Sequence, residues 1–152
     1  MEGIDSILAE HAFFAGMSPE QSRIISGCAR NHRFDAGQYL FHEGAPADEF
    51  FLIRHGQVAL EIVQPGHAPI VFETLDVGEV VGASWLVPPY RWMFDARAVD
   101  LVRAIGIDAA CLRDKCDADS RLGYEMMKRF LPVLVSRLHA TRLQILDVYG
   151  AR

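Results

Sequence analysis

Between Arg33 and Ile107 the chain is a succession of short runs rich in valine, isoleucine, phenylalanine and tyrosine: QYLFHE, EFFLIRH, QVALEIVQ, PIVFETL, FDARAVD and LVRAIGI. Each has the length of a strand and the residue types that a pleated, half-buried surface favours. The punctuation between them is regular. Asp35-Ala36-Gly37, Glu43-Gly44, His55-Gly56, Pro65-Gly66 and Val77-Gly78 each set a glycine where a tight turn calls for positive φ. Short strands at near-regular spacing predict a sandwich or jelly roll, not alternating βαβ units.

The flanks read differently. IDSILAEHAFF and SPEQSRIISGCARNH predict N-terminal helices, the second with Ser18 as N-cap, Pro19 at the first helical position and an apolar face of Ile24, Ile25 and Cys28. After Ile107 the chain turns helical again. Tyr124, Met127, Leu131, Leu134, Leu138, Thr141, Ile145 and Val148 follow in alternating steps of three and four, the seam of a coiled coil with one polar position. At ~1.5 Å per residue, residues 122–149 make a rod of about 42 Å, against a radius of gyration of ~15 Å for a domain of this size. So long a helix is hard to cover with one small domain, so the seam predicts a homodimer. Met126, Phe130 and Val133 form a second stripe, expected to pack on the strands, the alternative being that both stripes are buried within one chain. Pro132 lies inside the helix, where it removes a hydrogen bond, and predicts a kink near residues 128–132. The expected organisation is one domain over 1–152: N-terminal helices over 1–32, a β-roll over 33–107 and C-terminal helices over 108–150.

Charge narrows the function. The net charge is −5 and the 15 basic residues are scattered, without the stripe that neutralises nucleic-acid phosphates. Direct DNA or RNA binding is disfavoured. Apolar runs such as FFLI at 50–53 are far too short to span a bilayer, and MEGIDSILAEH carries acids where a signal peptide carries Lys or Arg. The expectation is a cytoplasmic protein with no membrane association. Cys28, Cys111 and Cys116 are then expected as reduced thiols, and no CxxC pair completes a tetrahedral metal site.

The stretch HAFFAGMSPEQSRIISGCARNHRFDAGQYLFHEGAPADEFFLIRHGQVALEI resembles the cyclic nucleotide-binding domain of the catabolite-activator type. The resemblance rests on the FFAGMS entry to the first helix, on FDAGQYLFHEG, on ADEFFLIRHG and on QVALEI. It implies an eight-stranded β-roll, flanking helices and a long C-terminal helix that dimerises. It also implies a ligand held in the roll by a phosphate cassette. In that family a Gly-Glu pair opens a short helix, the Glu takes a ribose hydroxyl, helix amides take phosphate oxygens and a later arginine pairs with the anion.

The corresponding segment here is Gly82-Ala83-Ser84-Trp85, within VGASWLVPPYRWMFDARA. Ala83 stands where the resemblance expects the glutamate, and alanine cannot accept a hydrogen bond. Aligned on Arg97-Ala98, Trp92 falls at the anion-binding position, with Arg91 one place early. Each lost contact removes ~1.5–3 kcal/mol, together about a hundredfold or more in affinity. The expectation is that cAMP and cGMP are not bound in the usual manner. Ser136 falls near the place where relatives touch the base with a hydroxyl. The sequence also stops near the hinge that in transcription factors of this family leads into a helix-turn-helix, so a stand-alone module without that domain is expected.

The six histidines give no HxH pattern for a cupin-like metal site, and Ser84 is not in a GxSxG turn. No catalytic residue, metal or obligatory cofactor is implied, and no enzymatic activity is expected. Three readings stand. The first is a dimeric regulatory module with a diverged cassette, acting on a protein partner. The second is a sensor for a cyclic nucleotide or other small anion, using Gly82, Ala83, Ser84, Trp85, Arg91, Trp92, Arg97 and Ser136. The third is a cupin-like enzyme.

Overall fold

A computed structural model describes residues 3–150, with the side chains at 148 and 149 outside the described set. Two N-terminal helices, α1 (Ile4–Glu10) and α2 (Pro19–Ser26), precede eight strands: β1 (Ala29–Phe34), β2 (Tyr39–Phe41), β3 (Glu49–His55), β4 (Val58–Ile62), β5 (Ile70–Leu75), β6 (Val80–Val81), β7 (Asp95–Ala98) and β8 (Val102–Asp108). Helices α3 (Ala109–Ala118) and α4 (Ser120–Gly150) follow. The strands form two four-stranded sheets, ordered β1-β8-β3-β6 and β2-β7-β4-β5, with antiparallel pairing throughout. Fully buried Phe50, Leu52, Ile53, Leu60, Ile105 and Ile107 come from both sheets and make the centre of the core.

Local chemistry explains most boundaries. Ser18 caps α2 by accepting from the Gln21 N–H at 3.2 Å, with Pro19 behind it. Asp108 does the same for α3 through the Cys111 N–H at 2.8 Å. Gly56, at φ +85°, turns β3 into β4 where a side chain would run into the Leu101 carbonyl.

Three expectations are corrected here. The N-terminal helices end at Ser26, not near residue 32, and residues 29–34 are β1. This strand lies at a sheet edge with Arg30, Asn31 and Arg33 exposed, so it lacks the apolar signature of an inner strand while the charges blunt the open edge. The strands therefore run from Ala29 to Asp108, wider than the expected 33–107. The thiols are not all reduced: Cys28 and Cys111 form a disulfide, leaving Cys116 free. They lie 83 residues apart, and the pairing of β1 with β8 brings the end of α2 to the start of α3.

Helix α4 is continuous through Pro132. Its packing stripe behaves as expected, with Met126 and Phe130 buried and Val133 packed against the core. The seam faces outward, with Tyr124, Met127, Leu131, Leu134, Leu138 and Ile145 exposed. Thr141 is exposed and donates back to the Arg137 carbonyl at 2.9 Å, and the Val148 side chain lies outside the described residues. No helix among the described residues is long and apolar enough to cross a membrane.

Candidate functional site

The segment between β6 and β7 is held from both sides. A loop from His42 to Ala47 zips onto it: Gly44 N–H donates to the Trp92 carbonyl at 2.8 Å, Trp92 N–H to the Ala45 carbonyl at 3.0 Å, and Ala47 N–H to the Tyr90 carbonyl at 2.7 Å. Arg91 is spent on the same loop, its Nη1 donating to the Gly44 carbonyl at 2.8 Å. Tyr90 takes a left-handed φ of 56° and lies under the Arg113 guanidinium, 4.1 Å from ring centroid to Cζ.

These bonds aim Trp92 inward. Its indole is 3% exposed and stacks on Phe41 at 3.6 Å between centroids with the planes 8° apart. The ring lies directly over Gly82, so that a Cβ there would collide with it, and Gly82 has φ +99°. The space above Gly82 is filled by an aromatic ring. Trp85 goes elsewhere. It is fully buried against Phe50 at 4.8 Å and Phe130 at 5.4 Å, and fastens the short 3-10 turn of residues 84–86 to α4.

Ala83 and Ser84 are half-buried and line a cavity of about 460 Å³ between the β6–β7 segment and α4, together with Arg91 at the rim, Met127, Leu134 and Arg137. Its walls are almost entirely apolar. Arg97 is not in it: its Nε donates to Oε2 of buried Glu61 at 3.1 Å, within the β2-β7-β4-β5 sheet. Ser136 is exposed and borders a separate groove of about 260 Å³ with Glu73, Leu75, Val80 and Pro132. Of the expected ligand contacts, only Ala83, Ser84 and Arg91 meet in one cavity.

Arg137, which the residue patterns did not nominate, links the two spaces and lines both. It reaches from α4 to the Val80 carbonyl at 3.2 Å and to Glu73 at 3.5 Å, with its guanidinium 5.9 Å from the Phe94 centroid. Burial pushes its pKa below the usual arginine value, against the pull of Glu73 and Glu79. Burial likewise pushes the Glu73 carboxyl up, against Arg137. A signal was present in the sequence, because 126, 130, 133 and 137 continue the packing stripe, and a charge on such a stripe needs a partner inside. Among the described residues no three His, Cys, Asp or Glu side chains cluster as an ion site.

Comparison with known proteins places the fold. The model of the cyclic nucleotide-binding domain family matches residues 31–119. A CRP-like cAMP-activated global transcriptional regulator of Mycobacterium tuberculosis is 26% identical over 145 residues, which is 95% of this chain and 63% of that protein. The chain thus spans under two thirds of the curated relative it matches. Among solved structures, a candidate cyclic nucleotide-binding protein of Geobacter metallireducens GS-15 is 28% identical with a TM-score of 0.79, covering 91% of this chain and 100% of that one. A cyclic nucleotide-binding domain of Methylobacillus flagellatus, 19% identical, superposes with a TM-score of 0.82 over 97% of this chain and 86% of its own.

Proposed function

The chain belongs to the cyclic nucleotide-binding domain family, and on that premise we propose that it is a regulatory module whose phosphate cassette has been closed, working as a homodimer on a protein partner. The observation that carries this is the Trp92 ring over Gly82. A cyclic phosphate cradled at the cassette amides needs the space that the indole fills. Ala83 adds no acceptor for a ribose hydroxyl, and Arg91 is held on the Gly44 carbonyl instead of facing an anion. The exposed seam of α4 supports the dimer, since a row of leucines at 45–62% exposure gains by burial against its copy.

A second reading is favoured by one feature, the apolar cavity of about 460 Å³ with Arg137 in its wall. Its size and lining suit a small, largely apolar ligand with one acidic group. The cAMP-activated regulator of M. tuberculosis makes a nucleotide the first comparison.

Calorimetry with cAMP and cGMP, run beside native mass spectrometry of the purified chain, separates these. The proposed module gives no saturable heat at micromolar nucleotide and a dimer mass without adduct. Micromolar affinity for cAMP overturns the closed-cassette reading, and a retained small molecule replaces it with the second.

A further inference from the structure

Three arginines stand in a row across three neighbouring strands, on a protein whose net charge is −5. Arg33 of β1 is directly opposite Arg103 of β8. On the other side of Arg103 the register with β3 shifts between Ile53 and His55, leaving Arg54 as the extra residue beside His55, which pairs with Arg103. Arg103 therefore has a cationic neighbour on each flank. Like charges directly opposite on a sheet repel.

The fold's own carboxylates do little to relieve this. Arg33 reaches Asp35 at 3.3 Å with both side chains 66% exposed, a pair of small worth in water. Among the described residues Arg54 and Arg103 form no ion pair. The neighbouring His32 is engaged by Glu49 at 2.7 Å.

The row is concave. Arg33, Arg54 and Arg103, with Asn31 and His32, line a depression of about 390 Å³. Strands lie ~4.8 Å apart, so the three backbones span about 10 Å. Guanidinium forks match tetrahedral and planar oxyanions two atoms at a time. The lining has no aliphatic anchor of the kind protein interfaces are built around.

We propose that Arg33, Arg54 and Arg103 form a binding site for a small oligophosphate, recognised by its phosphate chain. Two or more linked phosphates place negative charge beside each guanidinium and remove the repulsion that the free protein carries. The site lies on the β1-β8-β3 sheet, outside the cavities beside α4, so it does not rest on how the cassette is read.

The test is calorimetry and thermal melting of the full chain with inorganic tripolyphosphate and, separately, ATP at low salt. Tripolyphosphate is expected to bind saturably and raise the melting temperature. Equal affinity for ATP marks recognition of the chain alone, and tighter ATP binding marks a nucleotide as the source. Arg103→Gln and Arg54→Gln are each expected to weaken binding tenfold or more, while Arg23→Gln on α2 leaves it unchanged. Without ligand, Arg103→Gln melts no lower than the native chain, because it removes repulsion. No saturable binding of tripolyphosphate up to 1 mM (roughly −4 kcal/mol), or equal losses in Arg103→Gln and Arg23→Gln, overturns the site.

Discussion

Gly82 and Trp92 share one space: the six-membered ring of the indole occupies the position where a side chain at 82 would begin. Gly82→Ala is therefore penalised twice, by φ +99° and by collision with a ring that Phe41 backs at 3.6 Å. The expected cost is about 2–4 kcal/mol in urea denaturation. Shrinking the ring in Gly82→Ala/Trp92→Leu removes the collision and keeps the backbone cost, so the double-mutant cycle should show a coupling of about 1 kcal/mol or more. Strict additivity would mean that the ring does not cover the glycine.

Arg137 and Glu73 meet at 3.5 Å where neither is more than a quarter exposed. Arg137→Gln leaves the carboxylate without its counter-charge and is expected to destabilise the fold by about 1–3 kcal/mol at pH 7, with recovery in Arg137→Gln/Glu73→Gln. Burial already raises the Glu73 pKa above its ordinary 4.5, and removing the arginine raises it further. The folded state then holds a proton that the unfolded chain has lost. Stability accordingly falls with rising pH through that window, and the deficit of the variant shrinks as the pH drops towards the ordinary 4.5. A deficit independent of pH would assign the loss to packing against Phe94 instead.

The proposed dimer rests on the outward face of α4. Leu131 and Leu134 are 61% and 45% exposed, so Leu131→Glu/Leu134→Glu disturbs little inside one chain, on the order of 0.5 kcal/mol per site. In a dimer the same change buries two pairs of like charges in the seam. Sedimentation is expected to show native dimer and variant monomer at micromolar concentration, with unchanged circular dichroism. A native monomer under those conditions would end the seam argument.

How much of this was readable depends on the range of the interaction. The two stripes of α4 were legible because helical spacing alone separates Met126 and Phe130 from Met127 and Leu131, and the structure buries the first pair and exposes the second. β3 was legible as EFFLIRH because four buried residues in a row leave a continuous apolar run. β1 was not, since an edge strand of ARNHRF carries its charges outward, and neither was β6, which is two valines long. Gly82 to Trp92 was legible as a departure from a pattern. That the indole closes over the glycine was not, because the loop that aims it comes from residues 42–47. The Cys28–Cys111 bond and the Arg137–Glu73 pair join positions 83 and 64 residues apart, and nothing local announces either.

His11 ties the N-terminal segment to β3 in one protonation state only. Its ring is 7% exposed, with Nε2 donating to the Ile53 carbonyl at 2.9 Å and Nδ1 accepting from the Phe13 N–H at 3.2 Å. Protonating Nδ1 breaks the second bond and sets two donors facing each other. Burial, with help from Arg54, lowers the pKa from 6.5, while the bond to Ile53 partly opposes this. A histidine whose folded pKa is depressed contributes stability that is present above the unfolded value and lost as the pH falls towards the folded one. The melting temperature is therefore expected to drop as the pH is lowered below about 6.5. His11→Gln keeps a donor for Ile53 but cannot take a proton, so it should melt lower than native at pH 7.5 and flatten this part of the profile. Equal slopes in both proteins would place the acid-sensitive group elsewhere.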